Sequence, residues 1–480
     1  MSEPAAQLYI TSRYNFRVPI DAGSLVFNSG TGAMLQFSGL DAAALAIDLT
    51  GARAEFKRDS VSTELLDQLC SGGFIVLAAT DEVAEIRGRY WRARDDTPMV
   101  LTITTTIDCN LGCYYCYEER SDDRLHIKDI EAIVRLAESK LDSSGKRSLH
   151  IDWYGGEPLM NLAFMEEASL ALQKMCDVRS VRYISSVISN GTCWPEDVGN
   201  FVRTHKIRQI QISFDGLRAH HDRRRHYRKE HASIPAKSSF DQAVSLVDRL
   251  LDHAHVDLRL NVDRNNREDV VPFVRFARER GWFGKNYQTK VQAARLASYS
   301  DHSSFMRNWE LSLEEYDAIR ELVRVEVGGE AGVEESESPD GYPYPKTSVC
   351  AALANHSVVI GADARLYRCG LQVGESHRIV GSLDTKPSAL FPILDQQELG
   401  NLADDAWWKQ FDPTTLPTCS RCSFLPVCWA GCPKKHLECD EHAIAEQGHY
   451  WRSNLPRLIA TGAGTRPISG FAFSLADQFR

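Results

Sequence analysis

Three cysteines, Cys109, Cys113 and Cys116, stand in a C-x3-C-x2-C arrangement directly after the apolar, β-branched run MVLTITTT. Three thiolates on one short loop can hold three irons of a cubane iron–sulfur cluster and leave the fourth iron without a protein ligand. Such an open position is where substrate or cofactor chemistry takes place. A structural zinc site asks for four closed ligands and a ferredoxin-type cluster for four cysteines, and no fourth cysteine lies near this loop. The loop also constrains the fold, because it opens a long region of alternating strand and helix patterns.

MVLTITTT, SLHIDWY, VRYISSVI, IRQIQISF, VDLRLNV and YQTKVQAAR are short apolar or β-branched runs. IKDIEAIVRLAESKL, AFMEEASLALQKM, FDQAVSLVDRLLDH and VVPFVRFARERG, at helical spacing, lie between them. Six alternations predict parallel strands joined by crossover helices, an α/β fold. The sheet is either open and doubly wound or a partial (β/α) barrel, and in both ligands gather at the C-terminal strand ends. Residues 1–95 read as a small α+β unit. YNFRVPI, SLVFN and AMLQFSG are its strands, DAAALAIDL and STELLDQLC its helices, and RGRYWRARDD a polar, charged connector. Residues 328–345, rich in Gly, Pro and acid, read as a linker or surface loop. No repeat of solenoid period is present.

The chain of 480 residues holds 13 cysteines, three in the loop and seven between 350 and 439. Cys70, Cys176 and Cys193 are isolated and read as small buried hydrophobes. The N-terminus lacks a basic segment followed by an apolar one, so it is not read as a secretory signal. The expected compartment is the reducing cytoplasm, where clustered cysteines bind metal more often than they pair. A net charge of −10 argues against a whole-protein nucleic-acid binder, and no apolar run is long enough to span a membrane.

The spacing, with the aromatic Tyr115 just before Cys116, resembles the signature of radical S-adenosylmethionine (radical SAM) enzymes. The resemblance implies a partial (β/α)6 TIM-type barrel over 97–327, with a [4Fe–4S] cluster on Cys109, Cys113 and Cys116. Gly155-Gly156-Glu157-Pro158 looks like the family's GGEP motif, whose backbone and Glu hold the amino group of the methionine moiety. Ser189-Asn190-Gly191-Thr192, Ser213 and Asp215 of ISFDG, and Arg259 and Asn261 of RLNVD are similar to positions that contact the cofactor's ribose and carboxylate or face the substrate. Each is also compatible with an ordinary strand-end turn. Tyr115 and Tyr117 are expected around the adenine, and Asp215 as a substrate-side acid/base group. The basic run 220–231, HHDRRRHYRKEH, contains the family's H-D-x-x-R and is expected as a solvated, partly substrate-facing loop.

Cys419-x2-Cys422-x5-Cys428-x3-Cys432 and Cys439, preceded by Cys350 and Cys369, resemble the seven-cysteine SPASM extension, placed over 346–445 with a C-terminal extension over 446–480. The resemblance implies two auxiliary [4Fe–4S] clusters: Cys350, Cys369 and Cys432 for the first, Cys419, Cys422, Cys428 and Cys439 for the second. Three departures stand out. Ala364 replaces a customary Gly five residues before Cys369. Cys439 follows Cys432 early. No eighth cysteine lies near Cys350, which leaves an open iron or a ligand such as His356. A pair of zinc-ribbon knuckles is the other reading of the C-x2-C spacing. Residues 1–95 resemble the winged-helix-like domain with which peptide-modifying enzymes recognise precursors, by strand addition at a sheet edge. A cap for the barrel is the plainer alternative.

The implied function is modification of a ribosomally made precursor peptide. A 5′-deoxyadenosyl radical would abstract hydrogen, leading to a thioether or carbon–carbon crosslink, with a flavodoxin or ferredoxin-type protein as electron donor. An anaerobic sulfatase-maturating enzyme and a small-molecule radical dehydrogenase need the same parts. The non-enzymatic alternative is an iron–sulfur or zinc scaffold.

Overall fold

The computed structural model describes residues 8–479 except 52, 232–237, 285–286, 299–300, 328–341 and 384–403. Most of the expected linker 328–345 therefore lies outside the described residues. The chain forms two compact units. One takes in the described residues of 1–96, 335–349 and 411–480, the other those of 97–334 and 350–410.

In the first unit, β1 (Tyr9–Thr11), β2 (Asn15–Ile20), β3 (Gly23–Asn28), β4 (Met34–Phe37), α1 (Leu40–Asp48), β5 (Glu55–Phe56), α2 (Thr63–Ser71), β6 (Ile75–Leu77) and α3 (Glu82–Asp96) follow in order. They make two antiparallel sheets, β2-β3-β4 and β5-β1-β6. The first sheet shares its core with helices from the end of the chain. Phe16, Val18 and Phe27 pack with Phe424 and Val427, and with Leu455 and Ile459 of the helix Glu441–Gly462. Phe16 stacks on Phe424 with ring centroids 5.0 Å apart.

The expected connector RGRYWRARDD is instead the body of α3. Its charge hides a buried stripe of Ile86, Tyr90, Ala93 and Arg94. Arg94 lies over the Trp91 ring at 4.7 Å and donates to the Phe411 carbonyl at 3.0 Å, so its guanidinium is satisfied although buried.

The second unit is built on β7 (Met99–Thr106), α4 (Ile130–Ser144), β8 (Ser148–Gly155), α5 (Leu162–Val178), β9 (Arg182–Ser189), α6 (Val198–Thr204), β10 (Ile207–Phe214), α7 (Arg218–Arg224), α8 (Ser239–Leu250), β11 (His255–Val262), α9 (Val270–Glu279), β12 (Thr289–Arg295) and α10 (Leu313–Val327). Strands β7 to β12 are parallel and adjacent in sequence order. The helices form for ordinary reasons. In α8, Ser238 caps the Asp241 N–H at 3.0 Å, and Phe240, Ala243, Val244, Val247 and Leu250, three and four apart, make one buried stripe. Leu149, Ile151 and Trp153 of β8 and Ile210, Ile212 and Phe214 of β10 join helix residues such as Ile133, Leu172, Val247 and Phe273 in one core. The apolar side chains of the strands thus share one face with the helices over a central parallel sheet.

The sheet continues past β7 into β13 (Val358–Ile360), β14 (Arg365–Tyr367) and β15 (Gly381–Ser382), with β13 parallel to β7. The stretch 346–445 is therefore shared between the two units. Ala364 sits in the β13–β14 turn at φ +59°, the left-handed region that favours glycine. A side chain in this region costs roughly 1 kcal/mol or more. Among the described residues, no helix is long and apolar enough to cross a membrane.

Candidate active site

The three cysteines follow the C-terminal end of β7, the end at which a parallel sheet binds ligands. Their loop is held from two sides. On one side runs part of the basic segment: Gly112 N donates to His226 O at 2.7 Å, Arg228 N to Asn110 O at 3.0 Å, and the Arg228 guanidinium to Cys109 O at 3.0 Å. On the other side is the end of β8, where Gly156 N donates to Thr106 O and Glu157 N to Asp108 O, both at 3.0 Å. A Cβ at Gly156 would meet Asp108 O at 2.4 Å and Ile107 O at 2.5 Å; one at Gly155, with φ +129°, would meet Thr106 O at 2.1 Å. The paired glycines thus let two backbones touch. Pro158 opens the following turn and accepts from Thr105 Oγ1 at 2.9 Å.

Glu157 is fully buried and joins β8 to β9. It accepts from Ser189 Oγ at 3.0 Å, Asn190 N at 2.7 Å and Leu159 N at 3.2 Å. Burial pushes its carboxyl up to about 7 against these donors. Asn190 in turn touches the cysteine loop, with Nδ2 3.6 Å from Cys109 Sγ and 2.8 Å from Asn110 Oδ1.

Burial raises all three thiols, Cys116 to about 12, while the Leu111 and Glu118 N–H groups act the other way on Cys109 and Cys116. Such thiols ionise when a metal takes the place of the proton. Among the described residues, no three Cys, His, Asp or Glu side chains converge tightly enough to hold one ion. A cubane asks for one thiolate per iron and not for such convergence. Two buried atoms beside the loop have no hydrogen-bond partner, Arg225 Nε and Glu118 Oε1. Three thiols, a guanidinium donor and a carboxylate acceptor left open together fit an iron–sulfur cluster and a zwitterionic cofactor.

Behind the loop, the segment expected as solvated is divided: His221, Arg224 and Arg225 are buried, whereas Arg223, His226, Lys229, Glu230 and His231 are exposed. Arg224 Nε donates to Asp215 Oδ2 at 2.7 Å, and its Nη atoms grip Asp263 at 2.9 and 3.2 Å. Tyr115 OH donates to Asp215 Oδ1 at 2.7 Å and accepts from Arg225 Nη1 at 2.7 Å; Asn261 Nδ2 reaches the same Oδ1 at 3.2 Å. Burial opposes ionisation of Asp215, but Arg225 and Arg224 outweigh it and hold the carboxyl below the usual carboxylate range. A carboxylate so gripped is a brace and a poor proton shuttle. The Tyr115 hydroxyl is likewise committed to this network.

His221 lies between Phe214 and Phe240, centroids 5.5 and 5.6 Å away, and neither ring nitrogen has a partner. Burial, aided by Arg225, lowers its pKa to about 3. Folded His221 stays neutral while the unfolded chain protonates near pH 6.5. Its stabilisation is thus complete above pH 6.5 and is lost as pH falls toward 3. His221→Phe is expected to remove about 3 kcal/mol of the stability lost between pH 6.5 and 4, read by urea unfolding. Parallel pH curves for the two proteins would refute the assignment.

Tyr117 OH bonds to Tyr154 OH, at the end of β8, and Tyr154 lies within electrostatic reach of Arg259, Cys116 and Cys369. Ser213 and Arg259 are cross-strand neighbours, and Arg259 Nε donates to Asn261 Oδ1 at 3.1 Å. In the other unit, Cys419, Cys422 and Cys428 interact electrostatically, and burial pushes Cys419 and Cys422 up to about 12. Trp429, Ala430 and Gly431 all have φ between 47° and 70°, which turns the Ala430 and Gly431 N–H groups onto the Cys428 thiol. Cys432 and Cys439 are exposed. Cys350, also exposed, and Cys369 and His356, half-buried, belong with the barrel sheet. Of the isolated cysteines, Cys176 is buried as expected, whereas Cys70 and Cys193 are only half-buried.

Residues 103–277 match the Radical SAM superfamily. The chain carries a radical SAM domain. Similar proteins extend well beyond it. The serine-type anaerobic sulfatase-maturating enzyme of Klebsiella pneumoniae is 24% identical over 341 residues, 68% of this chain and 79% of that protein. The cysteine-type enzyme of Clostridium perfringens is 21% identical over 386 residues, 73% of this chain and 94% of that protein. Among solved structures, anSMEcpe with bound AdoMet and Kp18Cys peptide superposes with a TM-score of 0.53 at 17% identity, over 77% of this chain and 100% of its own. Streptococcus suis SuiB bound to S-adenosylmethionine gives 0.50 at 13%, over 91% and 97%. These structural likenesses are of fold. Sequence reasoning singled out the three-cysteine loop but missed the support around it: Arg224, Asp263, Asn110 and Arg228. The signal was present in the basic run, whose H-D-x-x-R pattern ends on Arg225.

Proposed function

We propose that this chain modifies a ribosomally made peptide, abstracting a hydrogen from it to form a thioether or carbon–carbon crosslink. The observation that carries the reading is the three-thiol loop at the C-terminal ends of the parallel strands, bordered by the unpartnered atoms Arg225 Nε and Glu118 Oε1. When bound, the [4Fe–4S] cluster and S-adenosylmethionine supply a 5′-deoxyadenosyl radical. Cys109, Cys113 and Cys116 would hold the cluster. Arg225 Nε is available to a carboxylate and Glu118 Oε1 to an ammonium, while Gly155, Gly156, Glu157, Ser189, Asn190, Ser213, Arg259 and Tyr117 would border the remaining space. Asp215 braces Tyr115 and Arg225. Cys350, Cys369, Cys419, Cys422, Cys428, Cys432 and Cys439 are the candidate auxiliary ligands, and an electron-carrier protein would reduce the loop cluster.

A second reading, oxidation of a Ser or Cys in a sulfatase, is favoured by the names of the relatives above. The full chain, reconstituted anaerobically with iron and sulfide and given S-adenosylmethionine and a reductant, is expected to release 5′-deoxyadenosine. Incubation with a peptide encoded beside it is expected to give a product lighter by H2 with a new crosslink in its fragment spectrum. Turnover of a sulfatase-derived Cys or Ser peptide instead would establish the second reading. Absence of 5′-deoxyadenosine would overturn both. Truncating residues 1–95 is not a clean test of peptide recognition, because it would strip the cover from Phe424, Leu455 and Ile459.

A further inference from the structure

The inner face of a closed (β/α) barrel is filled by branched apolar side chains. Here the face turned away from the helices carries Thr102, Asp152, Ser186, Gln211, Asp257 and Arg259. Asp152 stands in register between Thr102 of β7 and Ser186 of β9, and Gln211 of β10 opposes Asp257 of β11. These six polar side chains are half-buried, and although Ile184 and Ile188 of β9 share the face, it is not a packed apolar core. It belongs wholly to the unit that bears the cysteine loop.

Asp152, half-buried, differs from three buried carboxylates of this unit. Asp215 and Asp263 are bridged by Arg224, and Glu157 takes three donors. Asp152 accepts one hydrogen bond, from Ser186 Oγ at 2.5 Å, and has acceptor capacity to spare. Burial lowers the pKa of His150, on the same face, and so disfavours its cationic form. Burial pushes the Asp152 carboxyl up, and Ser186 and His150 only partly offset this. A carboxylate in this position gains most from a cationic donor that comes from outside the chain. At a strand rise of about 3.3 Å, Asp152 lies roughly 10 Å below the strand end that meets the cysteine loop.

We propose that Asp152, braced by Ser186, selects a peptide residue with a cationic side chain, lysine or arginine, for the polar strand face beneath the cysteine loop. The inference rests on the peptide-modifying reading, and its test separates the two. The reconstituted full chain, with S-adenosylmethionine and reductant, is offered pentapeptides Gly-Ala-X-Ala-Gly. X is Lys, Arg, norleucine or Glu with a perdeuterated side chain. Deuterium recovered in 5′-deoxyadenosine reports which side chain reached the site. Wild type is expected to favour Lys or Arg over norleucine by about tenfold or more, the scale of one charge-assisted hydrogen bond. Asp152→Asn should bring that ratio near unity, Asp152→Lys should shift the preference to Glu, and Ser186→Ala should weaken it less. Iron content of each variant checks that the fold is intact. Equal transfer from Lys and norleucine in wild type, an unchanged ratio in Asp152→Asn, or no transfer from any peptide while 5′-deoxyadenosine forms would overturn the proposal and leave the broader reading standing. No 5′-deoxyadenosine at all would remove both.

Discussion

Replacing Cys109, Cys113 and Cys116 together by Ala is expected to lower the iron content by about four per chain and to abolish 5′-deoxyadenosine formation. The loss should be complete and not graded. Each thiol would serve a different iron, Ala offers no ligand atom, and Asp108 is paired with Arg228. The fold should survive the change. The loop is fixed by backbone bonds to His226, Asn110's partner Arg228 and the Gly155-Gly156 strand end, none of which uses sulfur. Iron assay, circular dichroism and product chromatography on one preparation decide the matter. Retained 5′-deoxyadenosine would refute the assignment of these residues. Loss of nearly all the iron would show that the remaining cysteines do not load independently.

Arg224→Met is expected to destabilise the second unit by about 3–5 kcal/mol, the usual result of removing one side of a buried ion pair. Arg224 is almost wholly buried, and two fully buried carboxylates depend on it, Asp215 at 2.7 Å and Asp263 at 2.9 Å. Arg225 approaches Asp215 only at 3.5 Å and leaves Asp263 unserved. Arg224→Lys should recover little, because one ammonium cannot reproduce a guanidinium that spans two carboxylates. Urea unfolding checks both variants. Wild-type stability in Arg224→Lys would show that charge alone suffices and that the forked geometry is incidental. The same loss should loosen Tyr115 and so disturb the cysteine loop, which iron loading would report.

The strands of the parallel sheet were legible because their signal is local. MVLTITTT and IRQIQISF are bounded, β-branched runs, and they are β7 and β10 residue for residue. α3 was not legible. Its buried stripe includes Arg94, and an arginine reads as solvent-seeking until the Phe411 carbonyl and the Trp91 ring are seen to satisfy it. The basic run 220–231 misled for the same reason. His221, Arg224 and Arg225 are buried because Asp215, Asp263 and Tyr115, distant in sequence, come to meet them. Ala364 shows the converse: an odd residue in a family pattern became a backbone conformation, φ +59° at a hairpin turn.

The sequence by itself determined the chemistry that can be held. Cysteine spacing on one loop is a covalent property of the chain, and alternating apolar runs determine a parallel sheet through local periodicity. Tertiary structure decided how that chemistry is supported. It put Arg224 between two aspartates, used Gly155 and Gly156 for contact between backbones, joined the N-terminal strands to the C-terminal helices around Phe16 and Phe424, and left Asp152 on a polar inner face with one partner. Charge compensation and burial are sums over neighbours in space, and spacing along a chain does not contain them.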